Sequence, residues 1–149
     1  MDRHDDYHVI RDHGPTYDLG VAKMRVLASA EHTGSKFALA EFSGGPGPWT
    51  LPHIHRETHE SFFILGGHFT FTLAGRVIEA DPGDYVRVPL ATSHTFAAGP
   101  DGGSLLVLFV PGGLEEMFIE LSRLPPDSIR DPRVRAEISA RHDSIPTQP

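Results

Sequence analysis

Short apolar runs alternate with turn-forming residues along the first two thirds of the chain. The run at His68–Leu73 alternates strictly, with Phe69, Phe71 and Leu73 on one face of an extended segment. Strand-length units separated by turns every 8 to 12 residues or so are typical of a β-sandwich or barrel. The pattern predicts strands at Tyr7–Ile10, Val21–Ala30, Lys36–Phe42, Glu60–Leu65, His68–Leu73, Arg76–Ala80, Tyr85–Val88, His94–Ala98 and Ser104–Val110.

The pattern changes to helical spacing after the Pro111-Gly112-Gly113 turn. Apolar residues of Leu114–Arg123 recur three and four positions apart, which predicts one amphipathic helix. Asp131 followed by Pro132 predicts the N-cap and first residue of a second helix that ends near Arg141. We expect one domain over residues 1–149, with a barrel over about 20–111, helices over about 114–141 and a frayed tail from Asp143.

Composition narrows the chemistry. The chain has no cysteine, ten histidines, 15 glycines and 13 prolines. A metal site would therefore use His, Asp or Glu, and the many turn residues favour an all-β fold. The net charge of −7 and the absence of a basic run argue against nucleic acid as a partner. The sequence contains no apolar stretch of membrane-spanning length and no secretory signal, so we expect a soluble, cytoplasmic protein with no membrane partner.

Two histidines separated by one residue form the first candidate for metal binding. In an extended segment His53 and His55 project from the same face, so one ion can contact both imidazoles. A neighbouring antiparallel strand could bring His94 to the same side.

These residues fit two motifs that resemble those of the cupin superfamily. The first motif, G-x5-H-x-H-x4-E-x6-G, is matched in full by Gly47, His53, His55, Glu60 and Gly67. The second, G-x5-P-x-G-x2-H-x3-N, is matched in part, by Gly83, Pro89 and His94, with Ala91 and Ala98 in place of glycine and asparagine. The resemblance implies a double-sheet jelly-roll barrel with short C-terminal helices, similar to small quercetinase-like cupins.

The fourth ligand has two candidates. The resemblance implies Glu60 as a carboxylate ligand. A regular strand from His53 would instead place His59 on the ligand face and turn Glu60 away, whereas a bulge after His55 would turn Glu60 inward. We favour a metal site of His53, His55, His59 and His94, with Glu60 as the alternative, and treat both residues as candidate catalytic groups. One divalent ion is expected, zinc first, with iron, nickel, manganese or copper as alternatives.

Aromatic residues are expected to surround this metal and form a pocket for a hydrophobic, aromatic small molecule. Trp49 lies in a Pro/Gly-rich loop and is expected at the mouth of the pocket. We see no Arg or Lys cluster that would hold a phosphate or a dicarboxylate. The candidate pocket residues are Trp49, Phe62, Phe69, Phe71, Phe96 and Phe109.

Three functions follow from this interpretation. The favoured hypothesis is a polyketide cyclase or aromatase, resembling small cupins of aromatic polyketide (antibiotic) biosynthesis, in which the metal polarises a carbonyl or enol. The alternative is a quercetinase-type dioxygenase, with Glu60 as ligand and base. The third is a non-catalytic cupin that binds a ligand. The resemblance also suggests a homodimer.

Overall fold

A computed structural model describes residues 8–148 of the chain. The strands are β1 (Thr16–Asp18), β2 (Ala22–Ala28), β3 (Ala38–Gly44), β4 (Gly47–Pro48), β5 (His53–Ile54), β6 (His59–Leu73), β7 (Arg76–Ala80), β8 (Tyr85–Val88), β9 (His94–Val110) and β10 (Ile145–Pro146). The helices are α1 (Ala30–Thr33), α2 (Glu115–Ser122), α3 (Pro126–Arg130) and α4 (Pro132–Ala140).

Two long strands organise the barrel. The first half of β6 pairs with β8 and with the second half of β9, which in turn pairs with β3. The second half of β6 pairs with β7 and with the first half of β9, which also contacts β4 and β5. Because both long strands cross from one layer to the other, the antiparallel strands form two facing layers, which confirms the expected all-β double-sheet barrel.

The sequence pattern divided each long strand into two. The Gly66-Gly67 break was expected to separate two strands, but β6 continues through it with register shifts on either side. Gly67 has φ +78°, and a Cβ placed there would lie 2.2 Å from the carbonyl oxygen of Gly102 on β9. Only glycine permits this close backbone approach, so the break is a bend within one strand.

The bend also changes which positions face the interior. Before it, the even positions of β6 are buried, including Glu60, Phe62 and Ile64. After it, the odd positions Phe69 and Phe71 are buried. The shift of register between the two halves accounts for this change of face.

The ends of the chain differ most from expectation. The tail was expected to be frayed, but Ile145–Pro146 forms β10, which pairs with β5 next to His53. Thr147 makes two further contacts. Its backbone N–H donates a 3.0 Å hydrogen bond to the Pro52 carbonyl, and its hydroxyl lies 2.6 Å from that of Ser93. The strand expected at Tyr7–Ile10 is absent over residues 8–10, and Tyr7 lies outside the described residues.

The C-terminal helices pack against one open side of the barrel. Asp131 caps α4 by accepting a 2.9 Å hydrogen bond from the Arg133 N–H, as its position before Pro132 predicts. The buried Glu115 carboxylate fixes the start of α2, because it accepts 2.7 Å hydrogen bonds from the N–H groups of Ala30 and Gly113. Over residues 8–148, none of the helices is long and apolar enough to cross a membrane.

Candidate metal centre and cavity

Three imidazoles meet where β5 pairs with β9. His53 on β5 is the direct register partner of His94 on β9, and their ring centroids are 4.2 Å apart. His55 follows β5, and its ring lies 4.8 Å from that of His53 and 5.0 Å from that of His94. The strand pairing therefore brings the three predicted histidines together.

Each imidazole is oriented by a backbone carbonyl. The Nδ1 atom lies 2.6 Å from the Leu51 oxygen in His53, 2.6 Å from the Asp143 oxygen in His55 and 2.9 Å from the Thr92 oxygen in His94. A carbonyl can only accept, so Nδ1 is the protonated nitrogen in each ring. This tautomer leaves the Nε2 lone pair directed toward the centre of the cluster, which is the arrangement that a metal ligand requires.

Glu60 completes the cluster. Its side chain is buried, and its two oxygens lie 3.2 Å from Nε2 of His55 and 3.4 Å from Nε2 of His94. The prediction that His59 faces the cluster was wrong, because its side chain is exposed and Glu60 takes that place. The structure instead matches the alternative, in which the strand is interrupted after His55 and Glu60 turns inward.

Asp143 is the cause of that irregularity. Its carboxylate accepts hydrogen bonds from three consecutive backbone N–H groups, at 2.8 Å from Arg56, 2.8 Å from Glu57 and 2.7 Å from Thr58. These bonds hold residues 56–58 in a loop between β5 and β6. The alternation of faces that starts at His53 therefore does not continue into β6, and Glu60 points inward.

Burial and charge act in opposite directions on the cluster. Burial, reinforced by the neighbouring His94, lowers the pKa of His53 to about 4. Burial also disfavours the charged forms of His55 and Glu60, but their mutual contact outweighs it. The pKa of His55 is raised, and that of Glu60 lies well below its usual range. The centre therefore combines a carboxylate that favours its charged form with two imidazoles of opposite preference. His53 favours its neutral form, and His55 favours its charged form.

The four side chains fit a metal ion. One potential ligand atom from each of His53, His55, Glu60 and His94 lies within 4.8 Å of the others. The Nε2 atoms of His55 and His94 are buried and make no well-formed hydrogen bond. Buried polar atoms without such a partner are costly, and coordination of a cation would satisfy both.

A cavity of about 260 Å³ opens from this cluster toward the C-terminal helices. His53 and Glu60 line it at the cluster, and four of the six predicted aromatic residues form its walls, namely Trp49, Phe62, Phe96 and Phe109. Phe69 and Phe71 were expected in the pocket, but they do not line it. Both are fully buried behind the wall, where Phe69 packs on Trp49 at 5.1 Å and Phe71 packs on Phe96 at 5.3 Å.

Trp49 also differs from expectation. It was expected at the mouth of the pocket and not in the core, but only 6% of its surface is accessible, and its Nε1–H donates a 2.9 Å hydrogen bond to the Gly45 carbonyl. Trp49 is therefore a fixed part of the cavity wall.

The sequence interpretation missed the wall that the C-terminal segment supplies. That wall includes a basic residue, Arg135, together with Ser139 and Ser144. Arg135 and Ser139 are four positions apart and share one face of α4, but nothing in the sequence indicated that this face covers the barrel. The other lining residues in the segment after β9 are Met117, Phe118, Leu121, Ile129, Pro132, Ala136 and Pro146.

Comparison with known proteins agrees with this architecture. Residues 41–111 match the model of the cupin domain family, and this span contains all four residues of the cluster. The quercetin 2,3-dioxygenase of Bacillus subtilis (strain 168) is 34% identical over 83 residues, which cover 56% of this chain and 25% of that enzyme. The chain thus matches only about a quarter of the length of this curated relative.

Solved structures share the fold at low sequence identity. KdgF from Halomonas sp. superposes with a TM-score of 0.67 at 19% identity, covering 74% of this chain and 98% of that one. The Streptomyces nucleoside dehydratase Pac13 superposes with a TM-score of 0.61 at 13% identity, covering 74% of this chain and 87% of that one. The matched family model and the two motifs show that residues 41–111 form a cupin domain, and the solved structures share its barrel fold.

Proposed function

We propose that this cupin is a metal-dependent enzyme that acts on an apolar, aromatic small molecule, and that its reaction is a quercetinase-type dioxygenation. The observation that carries the proposal is the inward position of Glu60, which joins three histidines at one end of a mostly apolar cavity. The sequence relationship to a quercetin 2,3-dioxygenase over the matched segment supports the same reaction.

The metal would be held by His53, His55, Glu60 and His94. A set of three imidazoles and one carboxylate suits iron, manganese, nickel or copper as well as zinc, and we propose one of the redox-active ions. When bound, such an ion supplies Lewis acidity toward a substrate hydroxyl and the capacity to exchange electrons.

The chain's own residues would orient the substrate and move a proton. Glu60 is the only carboxylate among the described residues that line the cavity, so its side chain is the candidate to accept the proton of a phenol or enol hydroxyl. The rings of Trp49, Phe62 and Phe96 would hold a flat substrate by stacking and edge contacts and would exclude water from the cluster.

Oxygen dependence tests this proposal directly. The protein, reconstituted separately with iron, manganese, nickel, copper and zinc, is mixed with a panel of flavonols, both with and without a carboxylate substituent, while dissolved oxygen and substrate absorbance are followed together. We expect equal molar consumption of oxygen and substrate with at least one redox-active metal, and no turnover without oxygen. Turnover that proceeds equally well under nitrogen would contradict a dioxygenase.

A cyclase or aromatase of polyketide type is the second candidate. The dehydratase Pac13 shares this fold, which supports a non-oxidative elimination as an alternative use of the same barrel. This hypothesis was favoured while His59 was expected at the metal, and the exposed position of His59 removes that argument. Oxygen-independent turnover with bound zinc is the result that would favour it.

A non-catalytic, ligand-binding cupin is the third outcome of the same experiment. It predicts that aromatic molecules bind in the cavity and leave unchanged, whichever metal is present. Full metal occupancy and saturable ligand binding without product would identify this case.

We also propose that the chain forms a homodimer through the outer face of the layer formed by β8, β6 and β9. Five exposed apolar side chains lie together on this face, because neighbouring strands pair in register there. A second copy related by a twofold axis would cover such a self-complementary surface. The five residues are Phe63, Leu65, Tyr85, Leu108 and Val110.

A further inference from the structure

One positively charged side chain lines the cavity wall that the C-terminal helices supply. Arg135 lies on α4 and lines the cavity together with Ala136 and Ser139, which share its helix face. The residue is half-buried, whereas Arg133 on the same helix is exposed. The cavity therefore has a carboxylate and a histidine at the cluster, and a guanidinium on the wall that the helices supply.

No counter-ion accompanies this guanidinium within residues 8–148. The arginines that form ion pairs there are Arg25, with Glu41, and Arg141, with Glu120, while no carboxylate lies within 4.0 Å of Arg135. Arg135 also makes no side-chain hydrogen bond to another described residue. Glu60 contacts His55 and His94 instead.

A partly dehydrated charge without a partner is unfavourable. Burial lowers the pKa of the Arg135 guanidinium, but arginine stays protonated in proteins, so it cannot escape the cost by losing its charge. An anionic ligand group in the cavity would supply the missing counter-charge, and a carboxylate matches the planar donor fork of arginine.

We propose that Arg135 binds a carboxylate on the substrate, so that the cavity selects an apolar molecule with an acidic group at the end remote from the metal-facing oxygen. This inference rests on the proposed function for its metal-facing end and extends it by naming the substrate class. Arg135 is then a specificity-determining residue, and helix α4 takes part in substrate recognition.

A matched pair of small probes tests the inference without turnover. The ligands are 3-phenylpropanoate and its neutral counterpart 3-phenylpropanamide, each titrated into the protein as purified and again after metal removal. Binding is followed by the fluorescence of Trp49, the only tryptophan of the chain and a residue of the cavity wall. We expect wild type to bind the carboxylate at least about tenfold more tightly than the amide in both states.

The variants locate the source of that preference. Arg135→Met removes the charge and should reduce the preference to about unity, and Arg135→Lys should keep part of it. Arg133→Met, which removes an exposed charge from the same helix, is the matched control and should keep all of it. Retention of the preference in Arg135→Met, or failure of wild type to bind the carboxylate, would overturn the inference.

Metal removal separates this inference from the proposed function. If the preference depends on bound metal while Arg135 is intact, the carboxylate binds at the cluster and the inference is wrong. If the metal-free protein keeps an Arg135-dependent preference, the inference stands even where no metal-dependent reaction is found.

Discussion

His55 donates a hydrogen bond of 2.6 Å from Nδ1 to the backbone carbonyl of Asp143, a residue 88 positions away. The side chain of the same aspartate accepts the N–H groups of residues 56–58. One residue of the C-terminal segment therefore fixes the tautomer of one candidate ligand and the direction of the strand that carries another, Glu60.

Replacement of Asp143 by alanine should weaken metal binding although Asp143 is not among the four candidate ligands. Loss of the carboxylate leaves three backbone N–H groups without their acceptor, at a cost of about 1–3 kcal/mol, and releases the loop that directs Glu60 inward. Changes in groups that orient metal ligands typically cost about 10–100-fold in affinity. The metal dissociation constant, measured by competition with a chromogenic chelator, checks this.

Asp127, an exposed acid on α3, supplies the control for that measurement. Asp127→Ala should bind metal as wild type does. Equal metal affinities in the wild type and both alanine variants would show that the hydrogen bonds of Asp143 do not position the metal ligands.

Phe71 should contribute to stability without contacting the ligand. Its ring is fully buried and packs against Phe62 at 4.9 Å and Phe96 at 5.3 Å, behind the cavity wall. Phe71→Ala should lower the free energy of unfolding by about 3–5 kcal/mol, measured by urea denaturation. Phe71→Leu should recover most of that loss and bind apolar probes nearly as wild type does. A Phe71→Leu variant that is fully stable but unable to bind them would place Phe71 in the pocket after all.

Charge on the outer face of the β8–β6–β9 layer should separate the proposed homodimer. Phe63→Glu and Leu108→Glu each introduce an acid among exposed apolar neighbours, so light scattering should shift from the mass of two chains to that of one. Val77→Glu, on β7 of the other layer, is the control, because that residue is exposed at 59% and lies outside the proposed interface. A wild type that is already monomeric at micromolar concentration would refute the dimer.

The sequence predicted correctly those elements that short stretches of alternating, turn-forming or helix-capping residues determine. The strands β7 and β8 begin and end where alternation and turn residues placed them, and Asp131-Pro132 marked the start of α4. The histidine spacing predicted that His53, His55 and His94 would meet. They do so because the two motif segments form paired strands.

The errors arose where distant residues decide the outcome. His59 was expected at the cluster because a regular strand from His53 would place every second residue on the same face. The carboxylate of Asp143, near the other end of the chain, interrupts that strand. The run Phe62-Phe63-Ile64-Leu65 is apolar at both even and odd positions, so it gave no independent sign that Glu60 shares the buried face. The cavity wall formed by Arg135 depends on how α4 packs, which no local pattern specifies.

The most direct test of the account is the metal content of the purified protein and two neighbouring variants, measured by inductively coupled plasma mass spectrometry. We expect about one iron, manganese, nickel or copper per wild-type chain, the same in His59→Ala, and a clear loss in Glu60→Gln. One zinc per chain, retained in Glu60→Gln and lost in His59→Ala, would instead indicate a metal site of four histidines that includes His59. A wild-type protein that contains no metal and binds none when it is added back would contradict the metal centre itself.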